Sequence, residues 1–509
     1  MPLGRAGAEL EGRVLDMAVN EHLSAVDLAA DIKAKGISPV EVMDDCIAAI
    51  EARNPSINAF TYTAFDEARA KAIEAEKVLM RGDADGAFFG IPTAAKDFLP
   101  GVPGWPGTTG GVKALSHQKD PGYGCFTKAM VDEGAILVGK TNAPSFAFRG
   151  TCDNKMFGAT STPFKVGYNS GGSSGGSAAA VGDGILLVAE GTDGGGSIRI
   201  PAAWCGCYGY KASVGTIPAT VRPNAFSLTH PYTWDGPLSR TVKDSAYVLQ
   251  AMARFDPFDP VSLDRGERDF AAALDKPLKG WRIGFTPDFG IFPVDPEIKD
   301  MVAAAAQRFV EAGAVVEPVE FDISRSHFEL AEAWCRLISI SGLESIEALK
   351  GGGIDLLRDH ADDVPAEFVY WINDAYRRGY VDYNADDVVR TEIYDALQTA
   401  FQTYDLVISP VTACHPVPNV PGGITAGPTE LGGEKVEPLI GWCLTYFCNF
   451  TGHPAASIPA GLSKDGFPVG MQIIGRRWAD EDVLAASAAF ERIQPWAKIY
   501  RVTAERNLR

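Results

Sequence analysis

The sequence predicts an α/β fold on three observations. Segments whose apolar residues recur at helical spacing alternate with short apolar runs of strand length. The longest apolar runs, such as Ile185-Leu186-Leu187-Val188-Ala189, suit buried strands and are too short to cross a membrane as a helix. No repeat and no tether-like linker divides the chain, so residues 1–509 read as one domain.

Taken in order, residues 25–52 place Val26, Leu28, Ile32, Val40, Val42, Ile47 and Ile50 at helical spacing. Within that stretch Ser38-Pro39-Val40-Glu41 reads as a helix start, with serine at the cap and proline in the first turn. Residues 66–79 are Ala- and Glu-rich and predict a helix. A strand ending in a polar turn follows at 90–96, a helix at 120–133 and a buried strand at 135–139. The helix–strand unit repeats at 177–181 and 185–190, then again as strand 281–285, helix 296–312 and strand 314–319. Residues 326–402 turn helical and aromatic, broken at Gly351-Gly352-Gly353. Strands return at 405–410, 455–459 and 469–474. The division expected is a helical layer at 1–80, an α/β core at 81–324 and 403–509, and a helical insertion at 325–402.

Composition excludes some functions. With 46 Lys+Arg against 65 Asp+Glu the net charge is −19, which argues against a nucleic-acid binder working through an overall basic surface. Apolar residues at 46% and charged residues at 22% are ordinary for a globular chain. Residues 1–20 lack the apolar core of a signal peptide, so a cytoplasmic location and no membrane are expected. The nine Cys are scattered without a CxxC pair, and the seven His show no HExxH. Reduced, packed thiols and no metal are expected.

Glycine is the outlier, 54 of 509 residues. Eight of them sit in two turns, Gly171-Gly172-Ser173-Ser174-Gly175-Gly176-Ser177 and Gly191-Thr192-Asp193-Gly194-Gly195-Gly196-Ser197-Ile198-Arg199-Ile200-Pro201. Glycines let main-chain N–H groups converge on one point, which suits a phosphate or an oxyanion. The phosphate reading lacks Gly-x-x-x-x-Gly-Lys-Ser/Thr, and no Gly-x-Gly-x-x-Gly directly follows a strand. The oxyanion reading has a serine closing the triple glycine. A serine nucleophile needs a base. No histidine lies nearby in a motif, although one brought in by folding stays open; Lys96, at the end of an apolar strand, is the alternative, because burial lowers a lysine's pKa.

These residues resemble the amidase signature family, which uses a Ser–cis-Ser–Lys triad. The two turns match its signature almost residue for residue, with the same 24-residue step from Ser173 to Ser197. Gly90-Ile91-Pro92 before Lys96-Asp97, Gly139-Lys140-Thr141-Asn142, Gly236-Pro237-Leu238-Ser239-Arg240 and Gly452-His453-Pro454 look like further family segments. The likeness runs from about residue 25 to 490. It implies a large mixed, twisted β-sheet covered by helices on both faces. It implies Ser197 as nucleophile, Ser173 as relay after a cis peptide, Lys96 as base, and N–H groups of Gly194, Gly195, Gly196 and Ser197 as oxyanion hole. Asp193 and Arg199 are expected to brace the nucleophile turn. Ser174 and Ser177 read as helix caps, Thr192 as a turn residue, and Cys205 and Cys207 as packed neighbours.

Two departures bear on substrate. Phe98 stands where the family often has asparagine, and Thr141-Asn142-Ala143-Pro144-Ser145 ends in serine rather than glutamate. The aromatic insertion, with Trp334, Tyr370, Trp371, Tyr376 and Tyr380, either forms an apolar substrate pocket or packs the insertion on the core. The expected reaction is cofactor-free hydrolysis of a linear carboxylic amide, with an aryl amide, anilide or carbamate favoured on the pocket reading. The alternatives are a glutaminase subunit of a tRNA-dependent amidotransferase and a non-catalytic binding protein on the same scaffold. The expected partners are a small-molecule amide and, at most, a second copy of the chain.

Overall fold

The structure, a computed structural model, describes residues 23–98 and 101–506. The sequence reading of the first 22 residues lies outside these. Two helices, α1 (Ala25–Lys33) and α2 (Pro39–Ile57), open the described chain. Ser38 and Glu41 form a reciprocal capping box with Pro39 in the first turn, and Asn58 closes α2 in a left-handed conformation. The 1–80 segment is not purely helical: β1 (Phe60–Thr63) precedes α3 (Phe65–Arg81) and pairs antiparallel with residues 139–141. β2 (Pro92–Lys96) and β3 (Ile136–Thr141) run parallel beside it, completing a three-stranded sheet in the order β1-β3-β2.

The helix expected at 120–133 begins only at α4 (Cys125–Asp132). Asp120 is instead drawn into the interior, where its carboxylate accepts the Gly101 and Val102 N–H groups and pairs with Lys140 at 3.0 Å. Pro121 and Gly122 then break any helical start. The signature region comprises α5 (Gly175–Asp183), β4 (Val188–Asp193) and α6 (Arg199–Cys205), followed by β5 (Tyr208–Lys211), β6 (Trp234–Ser239) and α7 (Val242–Met252). The strand starts three residues later than expected, because Ile185 and Leu186 N–H groups still bond to Ala180 in the helix's closing turn. It therefore extends through Gly191-Thr192-Asp193, residues whose glycine-rich composition reads as turn.

The second half supplies β7 (Arg282–Phe285), α8 (Pro296–Gln307) and β8 (Val315–Pro318). The helical segment follows as α9 (His327–Gly351), α10 (Leu356–Asp359), α11 (Ala366–Arg377) and α12 (Tyr380–Ala400). Then come β9 (Leu406–Pro410), the small hairpin β10 (Glu430–Leu431) and β11 (Glu434–Lys435), α13 (Phe447–Thr451), β12 (Ala455–Leu462), β13 (Pro468–Gly475), α14 (Asp480–Ile493) and α15 (Tyr500–Ala504). The main sheet has eight strands in the order β4-β6-β5-β12-β13-β9-β7-β8. Only the β7–β8 and β7–β9 pairs are parallel, so the sheet is mixed. β4, β5, β9 and β13 are buried along their whole length, as strands covered on both faces are, and β9 and β13 accordingly read as mainly apolar runs rather than as alternation.

Two side-chain bonds tie the small sheet to the edge of the large one. Thr93 Oγ1 donates to the Val188 carbonyl at 3.0 Å, and Glu190 Oε2 accepts the Lys96 main-chain N–H at 2.7 Å. The C-terminal ends of β2 and β4 thereby lie side by side. The helical segment 327–400 docks partly through rings: Phe368 of α11 stacks on Phe146 at 4.8 Å and meets Phe148 edge-on at 4.9 Å. An Arg149–Glu367 ion pair of 2.9 Å reinforces that contact.

Candidate active site

Three chain segments meet at the ends of β2 and β4. Lys96 is the last residue of β2 and is 1% exposed. Its ammonium donates to Ser173 Oγ at 2.7 Å and to Thr192 Oγ1 at 2.6 Å. Ser173 precedes α5 and is fully buried, and the Gly172–Ser173 peptide is cis. The next residue laces the turns together. The Ser174 N–H donates to the Ser197 carbonyl, and Ser174 Oγ accepts the Thr192 N–H, both at 3.1 Å. Ser174 thus stands at the start of α5 but its side chain caps nothing in that helix. Ser177 is not a cap either: it lies inside α5, hydrogen-bonded to Thr141 at 2.6 Å.

Ser197 sits in the short turn between β4 and α6, partly exposed where its neighbours are buried. Asp193 and Arg199 hold that turn from below. The Asp193 carboxylate accepts Arg199 Nε at 3.0 Å and Nη2 at 2.8 Å, the Gly196 N–H at 2.8 Å and the Ile198 N–H at 3.2 Å. Arg199 also donates to the Thr445 carbonyl, Gln472 Oε1 and Asn449 Oδ1. Burial pushes the Asp193 carboxyl up, but the Arg199 guanidinium outweighs it and holds the group down at about 2. Both side chains are fully buried, so the pair serves to fix the turn rather than to meet a ligand.

The Gly196 N–H is therefore spent on Asp193. Of the four donors expected from the resemblance, Gly194, Gly195 and Ser197 retain N–H groups that no protein acceptor takes among the described residues. Gly196 serves a different purpose. Its φ is +128°, and a Cβ there would lie 2.0 Å from Thr445 Oγ1, so only glycine lets the chain pass.

Burial and the neighbouring charges act on Lys96 in opposite directions. Burial lowers the Lys96 pKa, opposed by Cys152, Glu190, Asp235 and Asp193, and the balance is about 7. Glu190 and Thr192 are two apart on β4 and so share a face, as does Asp235, which is the register partner of Thr192 on β6. Asp235 Oδ1 is buried without a hydrogen-bond partner, and burial raises its pKa. Burial and then Asp235 raise the pKa of Glu190. When ionised, Glu190 and Asp235 both favour a charged lysine. Asp235→Asn removes one of them and should move the acidic limb of the kcat/KM profile to lower pH. A limb unmoved, or moved up, would show that Asp235 does not act on Lys96.

Thr192, Glu190, Asp235 and Thr445 were not legible as site residues. Only Glu190 left a trace, as an acid in an otherwise apolar strand. Of the aromatic candidates, the Phe98 ring centre lies 5.3 Å from Lys96 Nζ. Trp334 is 3% exposed and donates its indole N–H to the Gly194 carbonyl at 3.0 Å. Trp371 is buried and meets Tyr370 edge-on, whereas Tyr370 is 59% exposed. Neither Tyr370 nor Trp371 has a hydrogen bond or ring contact to Lys96, Ser173 or Ser197 among the described residues.

The family model described as Amidase matches residues 41–484. The chain belongs to the amidase signature family. It is 34% identical to an acylamidase of Rhodococcus erythropolis, over 93% of this chain and 96% of that one. It is 31% identical to a glutamyl-tRNA(Gln) amidotransferase subunit of Geotalea daltonii, over 94% and 98%. Among solved structures, a bacterial aryl acylamidase of the amidase signature family superimposes with a TM-score of 0.92 at 46% identity, covering 95% of this chain and 99% of that one. The protein is accordingly an amide-hydrolysing enzyme with the amidase signature fold.

Proposed function

We propose that the enzyme cleaves a linear carboxylic amide, with an arylamine as leaving group, through an acyl-enzyme on Ser197. The observation that carries the reading is a buried lysine poised near neutrality, 2.7 Å from Ser173 Oγ and beside the Ser197 turn. Neutral Lys96 takes the Ser173 proton as Ser173 takes that of Ser197, and the Ser197 oxygen bonds to the amide carbon. Gly194, Gly195 and Ser197 N–H groups hold the oxygen that gains charge. The proton returns from Lys96 through Ser173 to the amine, the C–N bond breaks, and water releases the acid by the same route. Nucleophile, relay, base and donors all come from the chain, so the reading calls for no cofactor.

The aryl preference is supported by the likeness to the aryl acylamidase and by the Phe98 ring beside Lys96. Phe98→Ala should raise KM for an anilide several-fold more than KM for acetamide; equal changes would remove Phe98 from the pocket. The competing reading, a glutaminase component of a larger enzyme, rests on the 31% identity to the amidotransferase. The purified chain assayed alone on p-nitroacetanilide, acetamide and glutamine separates the two. Release of p-nitroaniline supports the proposal. Glutamine hydrolysis alone, or activity only with a co-purified second protein, would replace it.

A further inference from the structure

The oxyanion turn is not self-supporting. Its first peptide, Gly194–Gly195, is trans, so its carbonyl and N–H point in opposite directions. The carbonyl is held by the indole N–H of Trp334, 140 residues away on α9, at 3.0 Å. The Gly195 N–H consequently faces away from the indole, with no acceptor of its own among the described residues. The second peptide, Gly195–Gly196, is held at both ends: Thr445 Oγ1 donates to its carbonyl at 2.5 Å, and Asp193 accepts its N–H at 2.8 Å. The first peptide is held at its carbonyl end, by Trp334. The indole also presses on the backbone, since a Cβ at Gly195 would lie 2.5 Å from Trp334 Cζ2 and 2.8 Å from Nε1.

We infer that Trp334 is a positioning residue for catalysis, its indole N–H orienting the Gly194–Gly195 peptide so that the Gly195 N–H is aimed at the transition-state oxygen. The inference rests on the Ser197 acyl-enzyme reading. It gives the helical segment 327–400 a part in the chemistry distinct from walling a pocket. A pocket wall acts on KM for the substrates it touches. A residue that aims an oxyanion donor acts on kcat for every substrate, because the donor matters most when charge has moved onto oxygen.

The test removes the donor and keeps an aromatic side chain. Trp334→Phe is measured on p-nitroacetanilide and acetamide, with inhibition by an acetaldehyde-type analogue that adds to the serine and by aniline. Aiming a donor badly costs less than the 10²–10³ lost with a whole donor, so a fall in kcat of about tenfold on both amides is expected. KM should stay within about twofold, the aldehyde Ki should rise in step with the kcat loss, and the aniline Ki should not move. An unchanged kcat, or a rise in KM confined to the anilide, would overturn the inference. Should Trp334→Phe fold poorly, 3-benzothienylalanine at position 334 keeps the shape and lacks only the N–H; full kcat in that protein would equally overturn it. Ser197→Ala run alongside separates the failures. If Ser197→Ala is inactive while the position-334 variants are unimpaired, the inference alone falls. If Ser197→Ala is active, the reading beneath it falls too.

Discussion

Ser197→Ala is expected to abolish amide hydrolysis, lowering kcat by on the order of 10⁴- to 10⁶-fold. The structural consequences should be slight. The turn is held without the residue 197 side chain: the Ser174 N–H donates to the Ser197 carbonyl, and the Asp193 carboxylate accepts the Gly196 and Ile198 N–H groups and the Arg199 guanidinium. None of these bonds uses the hydroxyl. A melting temperature close to wild type, with activity lost, is therefore the expected pair of results. Labelling by a fluorophosphonate, mapped to Ser197 by peptide mass and lost in the variant, identifies the nucleophile directly. Wild-type turnover in Ser197→Ala, or labelling that persists there, would place the nucleophile elsewhere.

Lys96→Met is expected to cost kcat on the order of 10³-fold or more, since it removes both the acceptor of the serine proton and its later donor. Methionine fills most of the same buried volume without a charge, which limits the packing loss. The pH profile gives a second and more specific readout. Only neutral lysine takes a proton. Burial brings the group to about 7 against the pull of the neighbouring carboxylates. Wild-type kcat/KM should therefore be flat above that pH and fall about tenfold per unit below it. In Lys96→Met the residual rate should lose that limb. A variant retaining wild-type kcat at neutral pH, or the same acidic limb at a reduced rate, would show that another group supplies the base.

The fold was legible in outline because its strongest signals are local. Ser38-Pro39-Val40-Glu41 marks a helix start through bonds that span three residues, and the structure forms them. Strands buried on both faces give unbroken apolar runs, so β3, β9 and β13 fall close to where the sequence puts them. The failures are equally physical. Asp120 looks like the first residue of a helix, yet a distant Lys140 draws it inward, and the helix waits until Cys125. Thr192 looks like a turn residue among glycines, yet pairing with Asp235 makes it part of a strand and points its hydroxyl at Lys96.

The site divides in the same way. By itself the sequence determined the family, the two glycine–serine turns and the residues we propose as nucleophile, relay and base. A turn that lets main-chain donors converge needs glycine at fixed spacing, and that demand is written within a few residues. Only the tertiary structure decided how those residues are equipped. It commits the Gly196 N–H to Asp193, sets Glu190 and Asp235 around Lys96, and brings Trp334 across 140 residues to hold the Gly194 carbonyl. Which side chain satisfies a buried donor or acceptor is settled by neighbours in space, and no local spacing encodes that choice.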